Sequence, residues 1–152
     1  MTNKNIVIVD IDGTISQVGE RLKYLKQEPK DWDSFYNDCF EDEPIMEMVN
    51  LVYNLYVQEY ELILCTGRRE SCREKTIKWI QKYFDRHFAK SVLLLMRPDG
   101  DHRHDSVIKP ELLEMAGVNL NEISFVLEYR NSMVQKWREL GVRCLQVAKG
   151  DF

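Results

Sequence analysis

Ile6-Val7-Ile8-Val9-Asp10-Ile11-Asp12-Gly13-Thr14-Ile15 is the stretch that decides the fold. Its first four residues are β-branched throughout and stop at an Asp-Gly turn signal, which reads as a strand buried on both faces. Similar apolar runs follow at Leu62 to Cys65, Val92 to Leu95, Ile123 to Leu127 and Val142 to Val147, each far enough from the last to admit a helical crossover. Five parallel strands are therefore expected. Ile45, Met48, Val49, Val52, Leu55 and Tyr56 recur at helical spacing behind Pro44. Thr76, Ile77, Ile80, Tyr83 and Phe84 repeat the pattern, as do Met133, Val134, Trp137 and Leu140 before Gly141. A shorter helix is predicted to start at Pro110 and end at Gly117.

This alternation gives an α/β fold, a three-layer doubly wound parallel sheet. The chain has 152 residues, of which 44% are hydrophobic, enough for one core, so residues 1–152 are read as a single domain. Residues 15–43 break the rhythm, mixing charges and aromatics without a long period. They read as a small cap insertion after the first strand, overhanging the crevice at the strand ends. Trp32, Phe35 and Tyr36 are assigned to the cap's own small core in preference to base-stacking platforms.

A net charge of −4 supplies no overall basic field, so any nucleic-acid contact needs a local patch. No apolar stretch reaches the roughly 20 residues that span a bilayer, and no signal-peptide pattern opens the chain, so a cytoplasmic protein without membrane contact is expected. The four cysteines, Cys39, Cys65, Cys72 and Cys144, form neither a C-x-x-C pair nor a disulfide framework, and reduced thiols are expected.

Asp10 and Asp12 lie two residues apart at a strand end, where both carboxylates can enter one crevice while Gly13 lets the chain turn. Such a pair suits phosphoryl transfer: one carboxylate attacks phosphorus, the other handles the proton, and a divalent cation offsets the crowded negative charge. Thr66-Gly67-Arg68-Arg69 follows the second strand with a hydroxyl, backbone amides and guanidinium groups, a cradle for oxyanions beside an expected helix start. Lys109 can neutralise a phosphate oxygen.

Strand-D-x-D-G-T, then strand-T-G-R, then Lys, then an acidic strand end resembles the haloacid dehalogenase superfamily of phosphohydrolases. More narrowly, the chain resembles the 3′-phosphatase domain of bacteriophage polynucleotide kinase-phosphatase. Asp31-Trp32-Asp33 through Glu41-Asp42-Glu43-Pro44-Ile45 carries this match, with Met96 through Asp105 to Lys109, Trp137-Arg138-Glu139-Leu140-Gly141, and Gln146 through Asp151-Phe152. The resemblance implies Asp10 as nucleophile, Asp12 as general acid and base, and Thr66 and Lys109 as phosphate grips. It places Arg21, Arg68 and Asp105, with the Gly67 backbone, at the substrate, and Asp105 is expected to orient Lys109. Mg2+ would be held by the Asp10 carboxylate, the Asp12 carbonyl and Glu128. The family pattern ends its fourth strand with two aspartates before an arginine, whereas this chain reads Leu127-Glu128-Tyr129-Arg130. Glu keeps an oxygen ligand one methylene longer, and Tyr129 replaces a charge with a phenol able to meet substrate.

The expected activity is a magnesium-dependent phosphohydrolase working through an aspartyl-phosphate and removing 3′-phosphate from DNA or RNA ends. Arg69, Arg73, Arg97 and Arg103 could supply its local positive field. No G-x-x-x-x-G-K-[ST] loop is present, so no 5′-kinase is expected. The alternatives are a nucleotidase or other small-molecule phosphatase, and a non-catalytic module binding nucleic-acid ends, suggested by Glu128 and Tyr129.

Overall fold

The computed structural model describes residues 4–150. The chain runs β1 (Ile6–Val9), α1 (Trp32–Asn37), α2 (Met46–Val57), β2 (Glu61–Arg69), α3 (Arg73–Tyr83), α4 (Arg86–Ser91), β3 (Leu93–Arg97), α5 (Asp105–Met115), β4 (Ile123–Glu128), α6 (Asn131–Glu139) and β5 (Cys144–Gln146). The five strands are all parallel in the order β3-β2-β1-β4-β5. The chain winds outward from β1 to β3, then returns to β4 beside β1, so the direction of winding reverses between β1 and β4. A crevice outside the carboxyl ends of those strands is where an open α/β sheet receives a ligand.

The absence of polar alternation in β1 is explained by its two covers. Val7 and Val9 pack with Val49, Val52, Trp79, Ile80 and Phe88 from α2, α3 and α4. Ile6 and Ile8 pack with Leu113, Met133, Val134 and Trp137 from α5 and α6. Two such layers make a three-layer domain, and truncating a fully buried ring such as Trp137 to Ala would cost roughly 3–5 kcal/mol.

Between β1 and α2 the chain forms a 3-10 turn at Gly19–Leu25, then α1, then a 3-10 turn at Cys39–Glu41. The segment leaves and returns at one place: Gln17 N donates to Glu43 O and Ile45 N to Ile15 O, both at 2.8 Å. Phe35 and Tyr36 are buried and pack edge-on at 5.2 Å, as a small core should. Trp32 differs, being half-buried at the rim of the crevice.

Three local expectations are corrected. The helix expected to begin at Pro110 begins at Asp105 instead, because the His104 ring accepts the Ser106 N–H at 3.1 Å and caps it, leaving Pro110 inside the helix. Pro110 forfeits one backbone bond there, and Lys109 sits one turn in rather than at a helix start. Residues Thr66 to Arg69 stay in β2, with a register shift between Thr66 and Arg69 against β3, so the helix after them starts only at Arg73. The short α4 was not anticipated; Asp85 caps it by accepting the Phe88 N–H at 2.7 Å. The fifth strand is confined to Cys144–Gln146, within the expected run.

All four cysteines are free and buried, and burial pushes the Cys65 thiol up to about 12. Among the described residues no helix is long and apolar enough to cross a membrane. Asp151 and Phe152, at the end of the resemblance, lie outside the described residues.

Candidate active site

Asp10 follows β1 directly, and its N–H continues the ladder by donating to Leu127 O at 3.0 Å. That bond fixes the carboxylate at the winding reversal. One oxygen accepts the Lys109 ammonium at 2.8 Å and the other the Thr14 hydroxyl at 2.9 Å. Lys109 also donates to Glu128 at 3.0 Å. Burial, then the charge of Glu128, push the Asp10 carboxyl well above its usual range against the pull of Lys109. Burial would lower Lys109, but Asp10 and Glu128 outweigh it and hold the ammonium firmly protonated.

Asp12 faces the opposite environment. Arg21 and Arg68 each donate to one of its oxygens at 2.7 Å. Burial alone would raise the Asp12 carboxyl, but the charges of Arg68 and then Arg21 hold it well below the usual carboxylate range. The same two guanidiniums bind Asp42, Arg21 at 2.7 and 2.6 Å and Arg68 at 3.3 Å, and Ser16 adds a bond at 2.8 Å. Asp42 is a buried residue of this box that sequence reading did not single out. Nothing in the local pattern separates it from its acidic neighbours Glu41 and Glu43, because its partners lie 21 to 26 residues away.

The crevice floor and walls bring together Asp10, Asp12, Thr66, Gly67, Asp105, Lys109 and Glu128. Arg21 and Arg68, expected at the substrate, do not line it; they stand behind Asp12, with Arg21 also bonded to Phe35 O and Arg68 to Thr76. Of the guanidiniums in the expected oxyanion cradle, Arg68 is therefore turned away from the opening, whereas Arg69 borders an adjoining cleft. Gly67 is required by packing: a Cβ there would lie 2.6 Å from an Asp105 carboxylate oxygen. Asp105 accepts from Arg97 and, at 3.1 Å, from Arg130 rather than from Lys109, so it acts on Lys109 through charge alone.

Glu128 is almost fully enclosed, accepting from Lys109, from Tyr129 N at 3.1 Å and from Trp137 Nε1 at 3.3 Å. Tyr129 lays its ring on Gly13, where a Cβ would come within 2.3 Å of it, and it is not part of the crevice lining. Gly13 adopts φ +85, so both conformation and space demand glycine. Of the other arginines, Arg69, Arg97 and Arg103 border an adjoining cleft, whereas Arg73 turns away to Glu70 and Leu94 O.

The residues suit a hard divalent cation. Asp10 and Glu128 are buried carboxylates that share one ammonium, a local excess of negative charge, and oxygen donors match magnesium. Asp12 could bring only its backbone carbonyl, since its carboxylate is committed to the arginines. Consistent with that, among the described residues no three His, Cys, Asp or Glu side chains converge as a metal cluster.

Comparison with known proteins shows the family and the fold. Residues 4–152 match the family described as polynucleotide kinase PNKP phosphatase domain. A protein of Autographa californica nuclear polyhedrosis virus, described as a bifunctional polynucleotide kinase/RNA ligase, is 28% identical over 137 residues, covering 90% of this chain and 18% of the viral protein. A chain of the Pnkp1/Rnl/Hen1 RNA repair complex is 32% identical with a TM-score of 0.77, over 97% of this chain and 43% of that one. This chain thus spans less than half of these relatives. A haloacid dehalogenase-like hydrolase from Streptococcus pneumoniae shares the fold at 13% identity, with a TM-score of 0.63 over 96% of this chain and 85% of that one.

Proposed function

The chain belongs to the polynucleotide kinase PNKP phosphatase domain family, and from that premise we propose that it is a magnesium-dependent polynucleotide 3′-phosphatase acting through an aspartyl-phosphate on Asp10. The observation that carries the reading is the placement of two carboxylates two residues apart in one crevice at the winding reversal, with Asp10 fixed by the Lys109 ammonium at 2.8 Å and the Thr14 hydroxyl at 2.9 Å. Two carboxylates so placed can divide the work of nucleophile and proton carrier.

In the first half, an Asp10 oxygen bonds to phosphorus, the bond to the 3′-oxygen breaks, and that oxygen takes a proton from Asp12. In the second, water attacks the phosphorus, its proton passes to Asp12, and Asp10 and inorganic phosphate are released. The arginines favour the carboxylate of Asp12, the form that accepts the water's proton. The proton that Asp12 takes from water in the second half is the one it gives to the 3′-oxygen of the next substrate, so the cycle closes. Thr66 and Lys109 hold phosphate oxygens. Magnesium, held by Asp10, the Asp12 carbonyl and Glu128, would supply neutralising charge between nucleophile and phosphate. Cytoplasmic DNA or RNA ends bearing 3′-phosphate are the proposed partners.

The test is phosphate release from a 3′-phosphorylated oligonucleotide and from a 3′-mononucleotide, with magnesium and with chelator, beside Asp10→Asn. Oligonucleotide-selective, magnesium-dependent release that vanishes in the variant is the expected result. Equal release from the mononucleotide would make the domain a nucleotidase, and no release would make it a binding module.

A further inference from the structure

A second, open cleft adjoins the reacting crevice, and the two share Trp32, Tyr36, Asp105 and Arg130 as a common wall. The sequence assigned Trp32 to the interior of the cap, but its ring is only half-buried and borders both openings. The ring is held rigid from behind. It stacks on Tyr36 at 5.9 Å with planes 22° apart, and meets Phe35 edge-on at 5.7 Å. A locked indole loses little entropy when a planar group settles on it.

Arg69 lies on the same wall, with its guanidinium 5.3 Å from the Tyr36 ring centroid. Its carboxylate partner is Asp33, whose side chain is 79% exposed. An ion pair so open to water is weak, and a phosphodiester can displace it. The order along the wall is thus a phosphate site at Asp10 and Lys109, then an aromatic face, then a cation. That is the order of a strand end: 3′-phosphate, terminal base, preceding phosphodiester.

We propose that Trp32 is the stacking platform for the terminal nucleobase of the strand whose 3′-phosphate sits at Asp10, with Arg69 taking the preceding phosphodiester. This subsite rests on the polynucleotide reading above. Its test is a cycle between the Trp32 side chain and the base. Initial rates are compared for a 3′-phosphorylated oligonucleotide ending in thymidine and for the same strand ending in an abasic tetrahydrofuran nucleotide, with wild type, Trp32→Ala and Trp32→Phe.

Removing the base should raise KM about tenfold in wild type. That penalty should vanish in Trp32→Ala and persist in part in Trp32→Phe, with kcat little changed for either strand. If Trp32→Ala keeps the full penalty, or slows both strands by one factor, the platform is wrong and Trp32 only supports the fold. The two readings separate through β-glycerophosphate: a wild type that hydrolyses it but neither oligonucleotide overturns the polynucleotide reading, and this subsite falls with it. A wild type that hydrolyses both oligonucleotides alike overturns the subsite alone.

Discussion

The two sides of the reacting crevice are built on opposite principles. On the strand side, Asp10, Glu128 and Lys109 project from β1, β4 and α5, and two carboxylates share one ammonium. On the other side, Asp12 and Asp42 meet Arg21 and Arg68, so two carboxylates are matched by two guanidiniums. The first side is left short of positive charge and open to phosphate and a cation. The second is self-neutralised, and it ties the 15–43 segment to Asp12, the proposed proton carrier. On the proposed reading, the difference separates the side of the nucleophile from the side that holds the proton carrier in place.

The largest effect should come from breaking the strand side. Asp10→Asn keeps the shape and removes the nucleophile, and kcat should fall by about 10⁴ or more while thermal unfolding shifts little. An activity loss under tenfold would show that the strand side is not the reacting one. Asp42→Asn probes the other side. It touches no substrate, yet it should lower kcat by about 10- to 100-fold, because Arg21 and Arg68 lose the partner that aims them at Asp12. Leaving two buried guanidiniums short of a carboxylate should also lower the urea midpoint, by about 3 kcal/mol of stability. If Asp42 served the fold alone, kcat for the folded fraction would be unchanged. Rescue in Asp42→Glu would point back to positioning.

Gly67→Ala sits between the two. Its Cβ would meet the Asp105 carboxylate at 2.6 Å, forcing that group and its Arg97 and Arg130 partners to shift. A loss of about tenfold in kcat/KM, read against 3′-phosphorylated oligonucleotide, is expected. Arg73→Ala is the smallest change. Its guanidinium turns to Glu70 and the Leu94 carbonyl, so activity should stay within about twofold of wild type. A larger fall would mean that the basic field extends beyond the cleft.

How much of this was legible follows the same division. β1 was read with its boundaries because four β-branched residues and an Asp-Gly stop leave little choice, and Asp10 and Asp12 came with it. Lys109 was found as a residue, but its placement was not, because Pro110 suggested a helix start and the true start is set by the His104 ring five residues upstream of Lys109. The Asp42 box was invisible, since its bonds join residues 21, 26 and 56 apart and only the folded sheet brings them together. Trp32 packs on Phe35 and Tyr36 as expected, but its place at the rim was not legible, for a related reason. Trp32, Phe35 and Tyr36 look alike in composition, and only the packing of α1 decides which ring faces the cleft.

The most direct measurement is the stereochemical course at phosphorus, using a 3′-phosphate ester made chiral with oxygen isotopes and analysing the new phosphate ester formed by transfer to an acceptor alcohol. Two successive displacements, first by Asp10 and then by the acceptor, require overall retention, which is the expected result. Inversion would show a single displacement with no aspartyl-phosphate and would contradict the role assigned to Asp10.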